Sequence, residues 1–237
     1  MKTVLKNKAL FIFLMILCLF VVGCGGDNPG GGKSNYNEAN YTLYGVPTFE
    51  SQLTLEEAKA ALTEASNYLA TVKSYSYTQT LSGSYDADYE YQGTTKIDVT
   101  GATPMASIEL SGTNDFAFYV ANNKAYFNYD GYKVFYELES GLSNIIEATE
   151  ESLGAFSSFN ASDITTENMV FAGVDKDKST VIKYNLTEAS FVVVVISDKK
   201  IMKVMHYNED GIEYIANYDY TAVTVTLPTD LSTYVQK

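Results

Sequence analysis

Residues 54–81, "TLEEAKAALTEASNYLATVKSYSYTQTL", contain a change of period. Up to Val72 the apolar residues recur at spacings of three and four: Leu55, Ala58, Leu62, Ala65, Leu69, Val72. That is the stripe of an amphipathic helix. Thr54 followed by Glu57 forms a capping box and marks its start. Glu56, Lys59, Thr63 and Asn67 fall away from the stripe. From Tyr75 the pattern becomes strict alternation, with Tyr75, Tyr77 and Leu81 set against Ser and Thr, which predicts a strand. A helix of this length reaches about 30 Å. Being apolar on one side only, it needs a large apolar surface to lie on.

Downstream, the chain supplies that surface. "YDADYEY" (85–91) alternates Tyr85, Ala87, Tyr89 and Tyr91 with Asp86, Asp88 and Glu90. "TKIDV", "ASIEL" and "FAFYVA" follow, and "NNKAYFNYDGYKVFYEL" reads as two strands joined at Asp130-Gly131, a hairpin signal. Residues 141–166 interrupt the series: "GLSNIIEATEESL" predicts a short helix and the Ser/Asn/Thr-rich stretch after it a loop. Strands resume with "NMVFAGV", "TVIKYNL", "SFVVVVIS", "KIMKVMHY", "IEYIANYDY" and "AVTVTL". The joints are short, at Lys176-Asp177-Lys178, Asp198-Lys199-Lys200 and Glu209-Asp210-Gly211, and such joints demand antiparallel neighbours. The count is roughly ten strands, the spacing of a large antiparallel sheet or barrel.

The expected fold is therefore α+β and mostly β. A large curved antiparallel sheet, an unclosed barrel, wraps around one long amphipathic helix and carries a short helical insert. The inner face would meet Leu55, Leu62 and Leu69, and the outer face, with Asp86, Asp88 and Glu90, would meet water. "FVVVVI" (Phe191–Ile196) is apolar on both faces. Either that strand is central and covered on both sides, or its outer face is an exposed patch.

Upstream of the helix lie three further segments. Lys2, Lys6 and Lys8 precede an uncharged apolar run, Ala9 to Val22, too short for a comfortable membrane span at ~20 residues but suited to a secretory signal. The run ends Val21-Val22-Gly23-Cys24, which resembles the bacterial lipobox. That resemblance implies cleavage between Gly23 and Cys24 and diacylation of the Cys24 thiol; Cys18, mid-run, is apolar filler. Two or more acyl chains anchor stably. "GGDNPGGGKSN" (25–35) is then a flexible spacer, and residues 36–53 an extended arm that packs on the domain formed by residues 54–237. Residue 25 is Gly rather than Asp, so an inner-membrane retention signal is not evident.

Charge narrows the function. The chain carries 29 acidic residues against 16 basic ones, all Lys, for a net charge of −13. Removal of residues 1–23 would leave 13 Lys against the same 29 acids. Without Arg, and with this balance, nucleic acid is excluded as a partner, and the folded body would be repelled by anionic lipid headgroups. Both cysteines lie within the first 24 residues and there is one histidine, His206. That leaves no disulfide, no cysteine- or histidine-rich metal site and no cysteine nucleophile in the folded part. Asp86, Asp88 and Glu90 read as a solvated strand face, and "DKDK" (175–178) as a turn. Glu150 and Glu151 point apart on a helix, and His206 reads as a structural or surface residue. The pattern is not that of an enzyme and requires no cofactor. Two groups of tyrosines, Tyr132 with Tyr136 and Tyr214 with Tyr218 and Tyr220, share strand faces and read as cross-strand packing or as a binding surface.

The order of lipobox, spacer, amphipathic helix running into "VKSYSYTQTLSG", strand meander with a helical insert, and closing "DKKIMKVMHYNEDGIEYIANYDYTAVTVTLP" resembles the LolA-like and LppX/LprG-like bacterial envelope lipid-binding proteins. The resemblance covers roughly residues 54–230 and is one of layout, with no ligand-binding motif. It implies an unclosed barrel with an apolar cavity between sheet and helix. LolA itself is soluble, whereas this chain would be tethered, as the LppX/LprG group is. On that reading the cavity candidates are Leu55, Leu62, Leu69, Tyr75, Tyr77, Phe116, Phe118 and Val134, with 141–166 as a lid. The protein would be anchored through Cys24 on the extracytoplasmic face of the cell membrane, or on an outer membrane where the cell has two. It would bind a lipid or other apolar ligand as carrier or sensor, with an envelope protein as a further partner. The alternative is a non-enzymatic interaction or structural module whose core is filled by its own side chains.

Overall fold

The computed structural model describes residues 36–45, 47–85, 87–101, 105–137, 161–208 and 210–237, with side chains 84–89 excepted. Cys24, the spacer, the short helix expected in 141–153 with the start of the loop after it, and the carboxylates of Asp86, Asp88, Glu150 and Glu151 lie outside that set.

The helix, α1 (Leu55–Thr71), begins where the sequence places it. The Thr54 hydroxyl accepts from the Glu57 amide at 3.3 Å, and the Glu57 carboxylate accepts from the Thr54 amide at 2.8 Å, closing the capping box. Its buried stripe is Ala58, Leu62, Ala65 and Leu69.

Among the described residues thirteen strands form one open sheet, more than the sequence reading counts. They are β1 (Phe49–Gln52), β2 (Ser74–Tyr85), β3 (Ala87–Asp98), β4 (Met105–Gly112), β5 (Phe116–Ala121), β6 (Lys124–Tyr129), β7 (Tyr132–Glu137), β8 (Met169–Asp175), β9 (Thr180–Asn185), β10 (Phe191–Ser197), β11 (Lys200–Tyr207), β12 (Glu213–Asp219) and β13 (Val235–Gln236). The order is β1-β8-β9-β10-β11-β12-β2-β3-β4-β5-β6-β7-β13. Two meanders, β2–β7 and β8–β12, are thus stitched together by the antiparallel pairing of β12 with β2. Every pairing is antiparallel except β13 with β7, which is parallel. Three tight hairpins turn on left-handed pairs: Asn122-Asn123, Asp130-Gly131 and Asp198-Lys199. Such pairs match the right-handed twist of the strands they join.

The helix packs chiefly against β8, β10, β11 and the short 3-10 turn Ala161–Asp163. It therefore occupies one wing of the sheet. The inner face of the other wing carries Ile97, Ile108, Leu110, Phe116 and Phe118, all buried in the same core.

The outer face departs from expectation, because two patches of it are covered by chain rather than water. Tyr41 and Leu43 of the arm lie on Val181, Val193, Val195 and Met205. Leu227, Leu231 and Tyr234 of the C-terminal segment lie on Tyr119, Tyr126, Ala117 and Phe135. Strand β10 is accordingly covered on both sides, with Val192, Val194 and Ile196 facing the helix and Val193 and Val195 under the arm. The last residues of the expected arm, Phe49–Gln52, form edge strand β1 against β8.

"AVTVTL" is not a strand. Both edges of β2 are already taken, by β12 and β3. The Val223 amide instead donates to the Ser74 hydroxyl at 2.9 Å, and the chain crosses to the outer face of β5–β7.

Candidate functional site

The alternation that makes β2 a strand also aims its side chains. Tyr75, Tyr77, Gln79 and Leu81 are buried on the inner face, while Thr78 and Thr80 are exposed. Register then carries the row at Tyr77 across the sheet: Tyr218 on one side, and Thr95, Ile108, Phe118, Phe127 and Val134 on the other. The next row runs from Ala216 through Gln79, Gly93, Leu110 and Phe116 to Tyr129. The row beyond that holds His206, Tyr214, Leu81 and Tyr91.

Leu62, Leu69, Tyr75, Tyr77, Phe116 and Phe118 are brought together in one contiguous buried cluster, with Leu55 half-buried against it. Val134 is buried opposite Phe127 at its margin. Contacts are close: the rings of Tyr77 and Tyr218 are 5.2 Å apart and those of Phe118 and Phe127 4.8 Å. Tyr214 and Tyr218 face inward, and the Tyr220 hydroxyl donates to the Ile201 carbonyl at 2.7 Å. Tyr132 and Tyr136, at the margin of the other wing, are exposed.

The inner face also holds polar groups, of which the sequence reading singled out His206 but not Gln79 or Thr95. Gln79 donates to the Thr95 hydroxyl at 3.0 Å, with both residues buried. The β2 alternation alone would have placed Gln79 beside Tyr77. His206 is buried on the inner face between Val192 and Tyr214. Burial disfavours its charged form and lowers its pKa to about 4.

A second feature lies on the outer face. Arm and sheet enclose an open groove of 650 Å³ lined by Glu38, Thr42, Tyr44, Lys203, Glu213 and Ile215 among others. The buried Lys203 ammonium donates to the carbonyls of Tyr41 at 2.9 Å and Glu38 at 3.3 Å, and burial lowers its pKa. The Tyr41 hydroxyl donates to Asp175 and that of Tyr44 to Glu213, each at 2.7 Å. The groove was not legible in the sequence, because its walls come from segments more than 150 residues apart.

No protein-family model and no curated protein matches the chain. Among solved structures it is similar to the crystal structure of a DUF1329 family protein from Desulfovibrio piger, at 10% identity and a TM-score of 0.30, over 68% of this chain and 91% of that one. Among the described residues, no helix is long and apolar enough to cross a membrane.

Proposed function

We propose that the chain is a membrane-tethered extracytoplasmic lipoprotein whose half-barrel takes up the apolar part of a lipid or similar ligand. One observation supports this above the others: the helix seats chiefly on β8, β10 and β11, while the wing from β3 to β7 has an apolar inner face of its own, buried in the same core. A chain laid along Ile108, Phe116 and Phe118 would be stabilised by ~0.8 kcal/mol per CH₂ removed from water. Tethering through Cys24 and the glycine spacer would connect the membrane to the arm docked on the outer face of β9–β11. The acidic body keeps that sheet off the lipid heads.

The alternative, an interaction module with a filled core, is favoured by the contiguous packing of the candidate cavity residues. Native mass spectrometry of residues 34–237, which lack the anchor cysteine, separates the two. A co-purifying acyl species near one per chain is the outcome expected of a carrier or sensor. A bare chain mass that persists after incubation with envelope lipids rejects ligand binding in favour of the interaction module.

A further inference from the structure

We infer that the ligand of this half-barrel buries an uncharged hydrogen-bonding group, a hydroxyl, ester or ketone, together with its apolar chain, and that the Tyr218 hydroxyl is the partner of that group. This rests on the lipid-binding reading above and adds the class of ligand.

The first observation is the absence of charge. Among the described side chains, the inward positions of β2 to β7 and of β8 to β12 carry no Lys, Asp or Glu apart from Lys200. Lys96, Glu109, Lys183 and Lys203 all alternate outward. Lys200, the first residue of β11, caps one end, its ammonium 5.4 Å from the ring centroid of Tyr68 and 5.7 Å from that of Tyr220. The buried helix residues are Ala and Leu only. His206 faces inward, but as a neutral imidazole at pH 7, since burial lowers its pKa to about 4. A carboxylate or phosphate drawn in among these groups would lose its hydration and, away from Lys200 at the one end, meet no counter-ion, which is strongly unfavourable.

The second observation is that the interior is uncharged without being purely hydrocarbon. Tyr75, Tyr77, Gln79, Thr95, Tyr214 and Tyr218 place hydroxyls and an amide along its centre. Tyr218 is 4% exposed and its hydroxyl has no hydrogen-bond partner among the described residues, although the ring centroids of Tyr77, Tyr75 and Tyr220 lie 5.2, 6.4 and 6.4 Å from that of its own ring. A Phe at this position would give the same packing. In a core filled only by its own side chains the stranded hydroxyl is a standing cost, because it has given up water for nothing. A ligand hydroxyl or carbonyl at Tyr218 removes that cost on binding.

The test is native mass spectrometry of the full chain released from detergent micelles, with hexadecanol and palmitate offered at matched concentration at pH 8. The proposal expects hexadecanol adducts with at least about tenfold higher affinity than palmitate. It also expects Tyr218→Phe to weaken hexadecanol about fivefold and to leave the melting temperature of the ligand-free protein no lower than that of the wild type. Equal binding of the two probes by the wild-type chain, a comparison that needs no variant, overturns the uncharged-group inference while leaving lipid binding standing. So does a Tyr218→Phe protein that folds and discriminates as before. Adducts of neither probe overturn the lipid-binding reading and this inference with it.

Discussion

The ammonium of Lys203 donates to the backbone carbonyl of Tyr41 at 2.9 Å, joining the centre of the sheet to the arm across 162 residues of sequence. A buried lysine used this way substitutes for a strand: its protons satisfy arm carbonyls that no ladder reaches. Replacing it with Met keeps the volume and removes the donors, taking the ammonium from the Tyr41 carbonyl and leaving the Glu38 carbonyl to the Tyr41 amide, 3.3 Å away. The expected cost of ~1–3 kcal/mol falls on the arm. In Lys203→Met, amide hydrogen exchange across residues 38–45 should rise about tenfold or more, with β9 and β10 unchanged, tenfold being ~1.4 kcal/mol. Unaltered exchange in the arm would mean that its rings alone hold it.

Asp175 gives the arm a second attachment. Its carboxylate accepts from the Tyr41 hydroxyl at 2.7 Å and from the amides of Asp177 and Ser179 at 2.9 and 3.0 Å. Tyr41→Phe removes one of these bonds and should cost about 1 kcal/mol; Asp175→Ala removes all three and should cost about 3 kcal/mol. For a chain of this size each kcal/mol lowers the melting temperature by roughly 2–4 °C. Thermal melts of the two single variants and the double variant close a cycle. A coupling of about 1 kcal/mol is expected, and additive losses would show that the contact contributes nothing of its own.

The parts of the fold set by local pattern were legible. The stripe from Leu55 to Leu69, the Thr54–Glu57 box and the Asp130-Gly131 turn each sit within one element, and the structure keeps all three. Parts set by competition between distant segments were not. "AVTVTL" has the composition of a strand, but β2 has no free edge to offer it. Phe191–Ile196 left two readings open, because apolar residues on both faces say that something covers each face without saying what. The cover is the arm, recruited by Lys203, Asp175 and Glu213, whose charges look like solvated surface when read in sequence. The inward aim of Gln79 was available from alternation, but the tyrosines around it drew the reading toward apolar lining.

The lipobox reading makes its own prediction. In a bacterial host the wild-type chain should lose residues 1–23, gain acyl mass on Cys24 and fractionate with membranes. Cys24→Ser should keep residues 1–23 and carry no acyl group. Intact-mass analysis of both proteins checks this, and an unacylated wild-type chain beginning at any other residue would reject it.

The last prediction concerns acid. His206 is buried, and its pKa falls from the ordinary 6.5 to about 4 through desolvation. Between those values the unfolded chain binds a proton that the folded chain does not. The contribution of this neutral imidazole is therefore fully present above pH 6.5 and lost as pH falls toward 4. The shift corresponds to about 3 kcal/mol. Because the carboxylates of this acidic chain also titrate near the low end, the measurement must be a difference. Melting temperatures of the wild type and of His206→Leu, taken from pH 8 to pH 4, should diverge below pH 6.5, with the wild type falling several degrees further. Parallel curves across that range would mean that the imidazole meets water or a counter-ion in the folded state.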